Sequence, residues 1–107
     1  MSSLWQVEDV PDRDMAILRV QGALDFPVRN EFQVGLEAVR ETARSKVVID
    51  LSRIAKMSSL YIGTMIDFGN TLTRAGRSLS VMMPDALVRV CREVGLEAAA
   101  TIIPVKG

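Results

Sequence analysis

The chain has no histidine. This rules out a Ser-His-Asp or Cys-His catalytic centre and any histidine metal site within it. It has one cysteine, Cys91, so no internal disulfide can form, which suits a reducing compartment. No Gly-rich loop of the P-loop or dinucleotide type occurs. An enzyme built on this chain would have to work with carboxylates, Lys, Tyr or Ser alone, and no cofactor is expected. Thirteen basic residues balance 13 acidic ones, with no basic run. Nucleic-acid binding usually leaves a cluster of Lys and Arg, so it is not expected. No apolar run approaches the roughly 18–20 residues that a membrane span needs. The first residues lack the charged-then-apolar layout of a signal peptide. Together these absences point to a cytoplasmic, non-catalytic protein that does not insert in membranes.

At 107 residues and 49% hydrophobic, the chain has the size of one domain, residues 1–107, with apolar mass for one core. Residues 4–10 and 16–21 read as strands. Between them Pro11-Asp12-Arg13-Asp14 is turn chemistry, so the two form an antiparallel hairpin that Gly22 ends. Asp25-Phe26-Pro27 is a helix-start signal. Phe32, Leu36 and Val39 follow at i, i+4 and i+7, giving an amphipathic helix of roughly four turns. Ser78–Met82 is another strand, and Asp85 opens a helix whose apolar positions are Leu87, Val90, Cys91 and Val94. Residues 99–103 form a last strand before Pro104. The order β-β-α-β-α-β-α-β predicts an α/β fold. Its sheet is mixed but mostly parallel, with an N-terminal hairpin and helices packed on it.

The most informative stretch runs from Val47 to Gly63. The apolar run Val47-Val48-Ile49 stops at Asp50, a polar turn follows, and Ser58-Ser59 stands before a helical pattern. Ile62, Met65, Ile66, Gly69 and Leu72 lie on one face of that helix, which Ala75-Gly76 ends. Leu60, Thr64, Asp67 and Thr71 point away, leaving Leu60 as an exposed apolar contact. Hydroxyl residues are favoured at helix starts, where the free N–H groups and the positive end of the dipole also tolerate a phosphate. Asp50 supports the turn rather than doing chemistry. Core filling accounts for Met57, Met65, Met82 and Met83, and Cys91 is inert.

Taken together, Gly-Ala-Leu-Asp-Phe at 22–26, Val-Val-Ile-Asp-Leu-Ser at 47–52 and Ser-Ser-Leu-Tyr-Ile-Gly at 58–63 resemble the STAS family, the sulfate-transporter and anti-sigma-factor-antagonist domain. The resemblance covers nearly the whole chain. In that family the central loop often reads Asp-Ser-Ser-Gly-Leu-Gly, and the serine after the Asp is phosphorylated. That serine falls on Ser59. Ser58 stands where the family has Asp, and Tyr61 where it has the first Gly. The resemblance implies an anti-sigma-factor antagonist that works by partner switching. Its partner would be an anti-sigma factor and serine kinase of the histidine-kinase-like ATPase fold. Phosphorylation at Ser59 would end the complex, and a PP2C-type phosphatase would reset it. Ser58 and Thr64 are alternative acceptors. The docking face implied is Asp25, Phe26, Ser58, Ser59, Leu60, Tyr61 and Thr64. The alternative is a scaffold subunit of a stress-sensing assembly, built as a homo- or hetero-oligomer, or an accessory subunit of a transporter. In that reading Ser59 is only a helix cap.

Overall fold

The computed structural model describes residues 4–24 and 28–106. The first hairpin pairs β1 (Trp5–Val10) with β2 (Met15–Leu24), Trp5 opposite Val20 and Val10 opposite Met15. A single 3-10 turn, Pro11–Arg13, joins them, with Asp14 in the left-handed region at φ 51°. The remaining elements are α1 (Arg29–Arg40), β3 (Lys46–Met57), α2 (Ser59–Arg74), β4 (Ser78–Pro84), α3 (Asp85–Val94) and β5 (Thr101–Val105). The strands lie in sequence order, β1 antiparallel to β2 and the other neighbours parallel. Each right-handed crossover steps in the same direction across the sheet, so it delivers its helix to the same face.

Strand alternation builds the core beneath those helices. Ala16 and Leu18 of β2 are buried in register with Val47 and Ile49 of β3, which in turn lie opposite Leu79 and Val81 of β4; Val20, Leu51 and Met83 are buried beyond them. The helices close it with Phe32, Leu36 and Val39 from α1, and with Tyr61, Ile62, Met65, Phe68 and Leu72 from α2. α2 approaches closely at Gly69, where a Cβ would lie 2.3 Å from the carbonyl oxygen of Ala99. Only a residue without a side chain permits that approach.

Several expected boundaries move. Gly22 does not end β2. Its φ of +93° is one that glycine adopts without cost, and the strand runs on to Leu24. Nor is there a polar turn after Asp50, because β3 continues to Met57 with Ile54 buried. The charged residues misread as a turn lie on a strand whose backbone stays paired with β2. β3 gains one residue over β2 between Arg19 and Gln21 and another between Gly22 and Ala23. Such bulges bend and twist the strand that carries them. β4 follows β3 only from Lys46 opposite Ser78 to Asp50 opposite Met82. Asp50, 8% exposed, sits at the divergence: its Oδ1 accepts from Ser52 N at 2.9 Å and Ser52 Oγ at 2.6 Å, and its Oδ2 from Arg19 Nη1 at 2.9 Å.

α1 has 12 residues, a little over three turns, and its expected start at Asp25-Phe26-Pro27 lies outside the described residues. In α3, Val88 and Cys91 are buried, whereas Val90 and Val94 of the expected apolar face are 39% and 46% exposed. α3 therefore seats on a narrower stripe than its sequence suggests. β5 begins two residues later than expected, since Leu96–Ala98 forms a 3-10 turn, and it includes Pro104. Proline is tolerated there because β5 is an edge strand.

Candidate partner-docking site

The start of α2 is held by the backbone before any side chain acts. Ser58 N donates to Leu24 O at 2.8 Å, tying the helix entrance to the end of β2. Ser58 is the N-cap, with extended φ −71° and ψ 143°, and its Oγ accepts from Leu60 N at 3.3 Å. Ser59 is the first helical residue and is exposed. Among the described residues its hydroxyl has no hydrogen-bond partner. The two serines thus divide the work: one satisfies first-turn amides of the helix, and the other leaves its oxygen open to solvent at the positive end of the helix dipole.

The surroundings decide what else reaches the surface. Leu60 is 42% exposed. Thr64 is half-buried and its Oγ1 donates to Leu60 O at 3.3 Å, so its hydroxyl proton is engaged within the helix. Gly63 is exposed, and a Cβ there would meet nothing within 4 Å. Asp67 continues the exposed face a turn further on, while the first turn carries no acidic residue. A phosphate on Ser59 would therefore meet the positive end of the helix dipole without an adjacent carboxylate on the same turn.

Tyr61 corrects the expected face. It is 1% exposed, and its ring meets Phe32 edge-on, with centroids 5.2 Å apart at 84°. The larger side chain fills the core between α1 and α2 and adds no bulk to the surface around Ser59. Burial of the ring removes far more apolar area from water than exposure would, and the edge-to-face pair adds to that. Asp25 and Phe26, the other expected members, lie outside the described residues. Ser58, Ser59, Leu60 and Thr64 are brought together on one end of α2.

Two residues that bear on the site went unnoticed in sequence. Arg53 and Lys56, on the bulged end of β3, are exposed just before the serine pair. Reading that segment as a turn hid them; the strand-like alternation around Ile54 was the available signal. Elsewhere some of the charges are matched. Arg19 bridges Glu8 and Asp50, and Arg44 grips Asp9, whose carboxyl pKa that guanidinium lowers. Burial pushes the Cys91 thiol pKa up, in keeping with an inert side chain. Among the described residues no group of three or more His, Cys, Asp or Glu is placed to hold a metal. No helix among them is long and apolar enough to cross a membrane.

A mostly parallel sheet with an antiparallel first strand and helices packed on it is the architecture of a STAS domain. The sequence model of that family described as "Mlab, STAS domain" matches residues 10–104, and the chain belongs to the STAS family. Among solved structures it is similar to an anti-sigma factor antagonist from Mycobacterium paratuberculosis, at 20% identity and a TM-score of 0.81, covering 94% of this chain and 85% of that one. It is also similar to the anti-sigma factor antagonist SpoIIAA in its unphosphorylated form, at 17% identity and TM-score 0.70, over 95% of this chain and 89% of that one. The phosphorylated form of the Bacillus cell-fate determinant SpoIIAA matches at 19% identity and TM-score 0.68, over 92% and 89%. At these identities the likeness establishes the fold. No curated protein is similar enough in sequence to match.

Proposed function

We propose that this chain is an anti-sigma-factor antagonist, a non-catalytic regulator in the cytoplasm that binds an anti-sigma factor and serine kinase of the histidine-kinase-like ATPase fold. Phosphorylation of Ser59 switches it off, and a PP2C-type phosphatase resets it. One observation carries the reading: Ser59 presents an exposed, unengaged hydroxyl at the first helical position of α2, beside the exposed Leu60. A phosphate adds about −1.5 to −2 charge at neutral pH and three strong acceptors. The helix terminus accommodates that charge, so the fold survives. The same charge sits in a surface that must be desolvated for a partner to dock, so the complex does not.

The test uses a serine kinase of the histidine-kinase-like ATPase fold from the same genome. Incubation with ATP should add one phosphate by intact mass in the unaltered chain and none in Ser59→Ala. Calorimetry should find Ser59→Ala binding persisting when ATP is added, and Ser59→Asp bound more weakly with its circular dichroism unchanged. Full affinity in Ser59→Asp would refute the switch.

A second reading has Ser58 in its favour. It replaces the family's aspartate and caps α2, an arrangement complete without phosphate. In that reading the chain is a scaffold or transporter-accessory subunit that docks through Leu60. Light scattering would support it by finding a large homo- or hetero-oligomer that never incorporates phosphate.

A further inference from the structure

Beyond Asp50, β3 loses its neighbour on one side. Arg53, Ile54, Lys56 and Met57 pair with β2, Ala55 bulging between them, but none of these residues pairs with β4, which turns away at Pro84 into α3. The space between is a groove of ≈ 770 Å³, walled by Ser52–Ala55 on one side and Pro84–Ala86 on the other, with Lys106 at its end. The N–H of Ser52 is already taken by Asp50, so the free edge begins at Arg53. An unpaired strand edge is complemented best by another extended backbone, which fills its alternating donors and acceptors together.

The charge of the groove narrows the choice. Arg53 and Lys106 both line the groove, and neither has an ion-pair partner among the described residues. α3 begins in the same wall with no side-chain cap on its first amides, adding positive potential against the single Asp85 carboxylate. Three of these features favour a negatively charged occupant, and one opposes it.

We infer that this groove takes an extended acidic segment of a protein partner, added as a short strand alongside residues 53–57. The inference deepens the proposed function and rests on it only for the partner's identity. The free edge runs directly into Ser58 and Ser59. Phosphate on Ser59 would stand at the end of the slot and repel the acidic segment, while Leu60 supplies the neighbouring apolar contact.

The test titrates the full, 15N-labelled chain with the capped peptide acetyl-Glu-Val-Glu-Val-Glu-amide, its Lys-for-Glu counterpart, and inorganic phosphate. The acidic peptide should shift the amides of residues 53–57 and Lys106 and slow their hydrogen exchange several-fold; the basic peptide should do neither. Arg53→Glu should weaken binding about tenfold, roughly 1.4 kcal/mol, while keeping the native spectrum. Ala55→Pro, at the residue of this segment that β2 does not pair, should abolish the exchange protection. Equal shifts with phosphate alone would reduce the groove to a simple anion site and overturn the inference, as would shifts confined to other surfaces or none at millimolar peptide. These readouts do not involve Ser59. A peptide that binds while Ser59→Asp keeps full partner affinity leaves the groove standing and removes the switch, and the reverse result does the opposite.

Discussion

Two glycines in α2 should respond to alanine with opposite signs. Gly63 is exposed, and its added methyl would meet nothing within 4 Å. Replacing it should stabilise the chain by about 1 kcal/mol, the helix-propensity difference between the two residues. Gly69 gains the same propensity, but its methyl would lie 2.3 Å from Ala99 O and 3.1 Å from Ala99 C. Both atoms belong to backbone, and Ala99 is 7% exposed, so no flexible side-chain tip can move aside. Overpacking of this kind costs about 1–3 kcal/mol and more when backbone must shift. The net for Gly69→Ala should therefore be a loss of about 1–2 kcal/mol. For a chain of this size the two variants should separate by about 8–20 °C in Tm, falling on either side of the parent. Thermal unfolding followed by circular dichroism measures the Tm of both, and urea unfolding their free energies. A Gly69→Ala variant stabilised as much as Gly63→Ala would refute the close passage of α2 over the 3-10 turn before β5.

The remaining expectations concern the site and the core. Tyr61→Ala should cost about 3–5 kcal/mol in urea unfolding, as for other large aromatic truncations. Leu60→Ala should stay within about 0.5 kcal/mol of the parent yet weaken partner binding in calorimetry; a stability loss at Leu60 matching that at Tyr61 would reverse the assignment of the two faces. Ser58→Ala should cost about 1 kcal/mol through the lost cap, and Ser58→Asp should restore most of it. Cys91 should react with a thiol reagent only in denaturant. Its raised pKa means the folded state holds its proton longer, so this contribution is full below the ordinary thiol pKa of 9.0 and declines as pH rises above it. Reaction at the rate of a free thiol in the native chain would contradict the burial.

The sequence by itself determined the order of elements, the hairpin, the parallel crossovers and the helix that begins at the serine pair. These depend on apolar periods and local capping, which neighbouring residues decide. It also marked Leu60 as exposed, because a helical wheel needs no tertiary partner. Tertiary structure decided the rest. Arg53 and Lys56 look like a turn in isolation, yet Gln21 and Ala23 of β2 stand opposite them and two bulges carry the strand on to Met57. Tyr61 sits in a loop motif associated with docking, but Phe32, 29 residues earlier in the chain, offers its ring a buried neighbour. Which serine caps and which stays open depended on a hydrogen bond from Ser58 N to Leu24 O, a contact between distant residues that local patterning does not encode.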